Sequence, residues 1–134
     1  MLLGSMNHLT LTVSNLVKSE QFYKQILKFM GYQQVHQDNQ FIIWSLEHAG
    51  EIVIFPANPD SNKHDRYSPG LHHFAFNANS REEVNNFYKL LLEMGATILD
   101  PPAEYDYSPG YYAVFFTDPD GIKLELVHMP VLQK

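Results

Sequence analysis

The chain has 134 residues, 45% of them hydrophobic and 18% charged, with a formal net charge of −6 and a pI near 5.5. That length can bury one core, and the composition is too apolar for disorder. Arg66 and Arg81 are the only arginines and the seven lysines are scattered, so no basic stripe exists for a nucleic-acid backbone. No apolar run approaches the ~20 residues of a bilayer span. Cysteine is absent, which removes disulfides, zinc-thiolate sites and thiol nucleophiles. With no signal-like start, the expected location is cytoplasmic. Gly4-Ser5-Met6 reads as a cloning scar ahead of a native Met6, so residues 1–5 are left out of the fold.

In chain order, residues 7–13 alternate as a strand. Ser14 is the expected cap of a helix carrying Leu16, Tyr23, Ile26, Leu27 and Met30, which Gly31 ends. Strands are expected at 32–36, 41–46 and 51–55. A second strand-helix pair follows: 72–78, then a capping box Ser80-Arg-Glu-Glu83 and the stripe Val84, Phe87, Tyr88, Leu91, closed by Gly95. Three further strands are expected at 97–99, 112–116 and 123–128, the last two joined by the tight turn Asp118-Pro-Asp-Gly121.

This order is βαβββ twice, and the residues themselves repeat. At an offset of 65, His8 meets His73, Phe22-Tyr23-Lys24 meets Phe87-Tyr88-Lys89, and Leu27 meets Leu92. The predicted class is α+β: two tandem βαβββ modules, about 6–57 and 71–130, forming one domain whose mixed sheets curl around a central cleft. Tyr67-Ser-Pro-Gly70 and Tyr107-Ser-Pro-Gly110 repeat at a different offset of 40. They read as turns, with two tyrosines rimming a cleft as the functional alternative.

Three segments carry a resemblance: Asn7-His8-Leu-Thr-Leu11, Gly70-Leu-His-His73-Phe-Ala-Phe76, and Asp118-Pro-Asp-Gly-Ile-Lys-Leu-Glu125-Leu126. In this arrangement the chain resembles the vicinal oxygen chelate superfamily, the glyoxalase type, over residues 6–130. The resemblance implies metal ligands at His8, His73 and Glu125, and one divalent ion: Zn, Ni, Mn, Co or Fe. Imidazole and carboxylate donors suit any of these, and such an ion acts as a Lewis acid toward a substrate with two neighbouring oxygens. Taken singly, each residue has a plainer reading: a strand-end His8, a hydrogen-bonded core His73, a solvent-facing Glu125.

Some relatives add a carboxylate from the last strand of module one. Aligning Pro56 with Pro130 puts Glu51 opposite Glu125, whereas aligning Gly50 with Gly121 puts Ile54 there. Glu51 therefore stands as both a candidate fourth ligand and, if inward, the candidate general base. His72, next to His73, is expected on the opposite face of the strand.

The resemblance implies a small-molecule substrate and a homodimer. Fosfomycin-resistance relatives carry an Arg-Ser pair where this chain has approximately Tyr112-Ala113, which does not suit a phosphonate. A glutathione adduct is poorly served by two arginines. The reading is a glyoxalase-like metalloenzyme, related to lactoylglutathione lyase, acting on a weakly charged or aromatic substrate. Trp44, Tyr105, Tyr107, Tyr111 and Tyr112 are the candidate pocket aromatics. Two alternatives are a bleomycin-binding type of resistance protein without catalysis and an Fe(II) extradiol-type dioxygenase.

Overall fold

Each half of the chain alternates apolar and polar residues in its strands, and in each half the apolar face is covered by one amphipathic helix. The computed structural model describes residues 1–130, which fall in two compact units, one from Met1 to Lys63 and one from His64 onward.

Unit one contains β1 (His8–Val13), α1 (Leu16–Phe29), β2 (Gln33–Gln37), β3 (Ile42–Leu46) and β4 (Gly50–Pro56). The sheet order is β1-β4-β3-β2, with β1 parallel to β4 and the other neighbours antiparallel. Register puts Leu11 beside Ile54, Ile54 beside Ile42, and Ile52 beside Trp44. All five are buried, and the Trp44 ring lies 6.4 Å from that of Tyr23 on α1. This face is the core. The helix cap is Asn15 rather than the expected Ser14. Asn15 is the extended residue whose side chain accepts the Lys18 N–H, and Ser14 lies one position too early to do so. Gly31 ends the helix at φ 95°, as expected.

Unit two repeats the plan with β5 (His73–Asn77), α2 (Arg81–Met94), β6 (Thr97–Glu104), β7 (Tyr112–Thr117) and β8 (Lys123–His128), in the order β5-β8-β7-β6. Phe116 pairs with Leu124 and meets Phe87 of α2 edge-on at 5.3 Å, so the even-numbered residues of β7 and β8 face the helix. Ser80 caps α2 by accepting the Glu83 N–H, and the Glu83 carboxylate accepts the Asn79 N–H. Gly95 closes the helix in the left-handed conformation.

Strand β6 runs five residues beyond the expected 97–99. Pro101 and Pro102 are tolerated there because β6 is an edge strand, broken by register shifts at Asp100. The architecture is thus α+β: two four-stranded mixed sheets, each backed by one helix, in two tandem modules.

Candidate metal centre

Because even-numbered residues of β8 serve the core, the odd-numbered Lys123, Glu125 and Val127 lie on the opposite face of sheet two. β7 contributes Ala113, Phe115 and Thr117 to that face, and β5 contributes His73, Ala75 and Asn77. Alternation along β8 alone left the face of Glu125 open, and the cross-strand register decides it.

On that face Glu125 is only 1% exposed. His73 Nε2 stands 3.4 Å from its Oε1, and the Tyr111 hydroxyl donates to its Oε2. Two donors on one transition-metal ion, each at roughly 2.0–2.2 Å, lie about 3 Å apart. The His73–Glu125 separation therefore fits shared ligation, and the thiol-free donor pair suits a borderline divalent ion.

The other nitrogen of His73 is also engaged. Its Nδ1 lies 2.7 Å from Nδ1 of His72. His72 was expected to point away, but it precedes the first residue of β5, so strand alternation does not govern it. Desolvation first, then the repulsion that a protonated His73 would exert, then Lys123 and Arg66, push His72 below the ordinary histidine range. A neutral His72 can accept from Nδ1–H of His73, which leaves the Nε2 lone pair toward Glu125.

In unit one, His8 stands directly opposite Glu51 across the parallel β1–β4 pair, on the face away from α1. Its Nδ1 lies 2.7 Å from the side-chain oxygen of Asn7. Both repeated histidines thus engage Nδ1 with the residue immediately before them; Nε2 of His73 faces Glu125, and Nε2 of His8 has no partner among the described residues.

The two registers also answer the module-one alignment. His8 pairs with Glu51 where His73 pairs with Lys123. Glu51 is therefore the counterpart of Lys123, and Val53 occupies the position of Glu125. Neither sequence anchor found this, because prolines and glycines mark strand ends rather than pairing. Within either unit, among the described residues, no three His, Asp or Glu side chains gather as a metal-holding group.

The candidate pocket aromatics separate cleanly. Tyr105, Tyr107 and Tyr111 gather beside Glu125: Tyr105 and Tyr107 stack at 5.4 Å, and Tyr111 meets Tyr107 edge-on at 5.1 Å. Tyr105 and Tyr111 pack on Ala113, Phe115 and Val127. Burial first, then hydrogen bonding and proximity to Glu125, raise the Tyr111 phenol well above the ordinary tyrosine range. Burial, then the charges of Asp100, Tyr107 and Glu125, raise Tyr105. Both remain neutral hydroxyl donors at pH 7.

Trp44 belongs instead to the core of unit one. Tyr112 turns to the helix side, where its hydroxyl donates to Asn85 at 2.6 Å and Arg81 lies 4.8 Å above its ring. Arg81 also pairs with Glu104, so it is committed within the fold. On the Glu125 face Lys123 is a nearby cation, with Nζ 4.6 Å over the Phe115 ring. The two Tyr-Ser-Pro-Gly segments are turns, as expected. Tyr67 packs on His72 at 5.2 Å, and Tyr107 on Tyr105.

Among the described residues no helix is long and apolar enough to cross a membrane. The chain is 34% identical over 127 residues to the uncharacterised protein YqjT of Bacillus subtilis, covering 91% of this chain and 97% of that one. It is 33% identical over 133 residues to the metallothiol transferase FosB of Staphylococcus saprophyticus, covering 98% and 81%. A crystal structure of a candidate glyoxalase from Bacillus halodurans superimposes with a TM-score of 0.83 at 28% identity, over 94% of this chain and 96% of that one. A family profile matches residues 5–126, and the chain accordingly belongs to the Glyoxalase/Bleomycin resistance protein/Dioxygenase superfamily.

Proposed function

We propose that this protein is a divalent-metal-dependent, glyoxalase-like enzyme acting on a small substrate with neighbouring oxygens, its two modules serving one functional domain. The observation that carries the reading is the buried Glu125 carboxylate with His73 Nε2 at 3.4 Å. A carboxylate removed from water needs a compensating cation or donors, and a divalent ion supplies the first. His73 and Glu125 are two of the proposed ligands. His8 is the third, by module equivalence and by an Nε2 without a partner among the described residues, whether it comes from this chain or from a second copy in a homodimer. The ion, when bound, would act as a Lewis acid on a substrate oxygen.

The chain's own residues would do the rest. Tyr105 and Tyr107 offer ring faces to a planar or apolar substrate, and the Lys123 ammonium offers a single positive contact. Glu51, beside His8 and half-buried, is the proposed proton acceptor. The likeness to FosB supports metal dependence. The absence of an Arg-Ser pair before the last hairpin, where Tyr112 is committed to Asn85 and Arg81, favours a substrate other than a phosphonate. The tyrosine cluster favours one rival, a binding protein that stacks an aromatic ligand without catalysis.

Metal analysis separates the two. Wild-type protein is expected to carry about one equivalent of a divalent transition metal, lost in His73→Ala and Glu125→Ala. A wild type that takes up none of Zn, Ni, Mn, Co or Fe(II) would sink the enzyme reading in favour of ligand capture.

A further inference from the structure

The face of sheet two that bears Glu125 holds a device that sheet one lacks. Where module two has Glu125, module one has Val53. Where module two joins its second and third strands through residues 105–111, module one uses only 38–41. The acid and the long connection occur in the same module, and that connection ends in Tyr111, whose hydroxyl donates to Glu125 Oε2.

The connection is built to hold that phenol still. Tyr105 N–H donates to the Tyr111 carbonyl at 3.0 Å, and Tyr111 N–H to the Ser108 carbonyl at 3.2 Å. Tyr105 and Tyr107 pack edge-on against the Tyr111 ring. Gly110 has φ 75°, and a Cβ there would meet the Pro130 ring at 2.6 Å, so the turn before Tyr111 accepts no other residue without moving.

A carboxylate has two oxygens, and an unrestrained one can swing or bind a metal through both. With Oε2 taken by Tyr111, only Oε1 is turned to His73 Nε2. We propose that Tyr111 is a positioning residue: it holds Glu125 so that the carboxylate presents Oε1 alone, as a one-oxygen metal ligand beside His73. The inference rests on the metal-centre reading and specifies how Glu125 is held within it. Outer hydrogen bonds to a ligating carboxylate commonly matter ~10–100-fold in metal affinity.

Cobalt(II) titration of the purified full-length protein, followed by visible absorption and by calorimetry, tests it. Tyr111→Phe keeps the ring and its packing but lacks the hydroxyl. It is expected to bind cobalt at least ~10-fold more weakly and to give an altered d–d band, as Oε2 becomes free to coordinate. Tyr112→Phe, which keeps its ring beside Arg81 and loses only a hydroxyl bonded to Asn85 on the helix side, is expected to match the wild type in both readouts. A Tyr111→Phe protein with wild-type affinity and spectrum overturns the inference while leaving the metal reading intact. A wild type that binds no cobalt or other divalent ion overturns both. If Tyr111→Phe does not fold, a crystal structure of metal-loaded wild type decides. Oε1 on the ion with the phenol on Oε2 supports the inference, and two-oxygen coordination or a metal-bound phenol overturns it.

Discussion

A carboxylate side chain is stable away from water only where donors replace its hydration. The chain shows this at two depths. Glu125 is deeply buried and takes the Tyr111 hydroxyl. Asp38, exposed in the β2–β3 turn, accepts the Gln40 and Phe41 N–H groups and lies 2.9 Å from His36 Nε2. The backbone bond from Phe41, then that from Gln40, then His36 hold Asp38 below the ordinary carboxylate range. A depressed folded value means the folded state prefers the ionised form. The stability Asp38 adds is therefore complete above the unfolded value of ~3.9 and is lost as the pH falls through the lower folded value. The melting-temperature gap between wild type and Asp38→Ala should narrow as the solution is acidified below the unfolded value. A gap that widens below the unfolded value would contradict this account of the turn.

At the scale of elements, most of what positions the site is local backbone chemistry. Ser80 caps α2, and Ser80→Ala should cost about 1 kcal/mol in urea unfolding. Gly50→Ala should cost more. Gly50 sits at φ 99°, and its Cβ would lie 2.7 Å from the Asn7 carbonyl oxygen, the same oxygen that accepts the Glu51 N–H at 3.0 Å. Relieving that clash would push β4 away from the Asn7-His8 segment. Gly50→Ala should therefore weaken metal uptake in addition to stability, whereas Ser80→Ala should leave uptake unchanged. The helices were legible because capping, spacing and terminal glycines are contiguous in the chain. The extent of β6 was not, since its prolines are compatible with a strand only at a sheet edge.

At the scale of the whole molecule, two modules share one plan but differ, among other places, at two matched pairs of positions on the faces turned away from the helices. Register equates Val53 with Glu125 and Glu51 with Lys123. If Glu51 acts on protons rather than as an indispensable ligand, Glu51→Gln should keep about one equivalent of metal where Glu125→Gln loses it. Turnover on an identified substrate should fall by roughly 100-fold or more in Glu51→Gln, the scale of general-base catalysis. Loss of metal in Glu51→Gln would instead make Glu51 a fourth ligand.

The amino-acid sequence by itself carried the duplication, the strand and helix order, the two matched histidines and the family resemblance, because these depend on spacing along the chain. It also named Tyr105, Tyr107 and Tyr111 among its candidate aromatics, alongside Trp44 and Tyr112, which the fold sends to the helix-backed sides. The tertiary structure decided the face of Glu125, its contact with His73, the match of Val53 to Glu125, and the bond from Tyr111. Each of these depends on which residue of one strand lies beside which residue of another. Hydrogen-bonded register and the packing of the helix on one face set that pairing, and no local pattern in the chain encodes it.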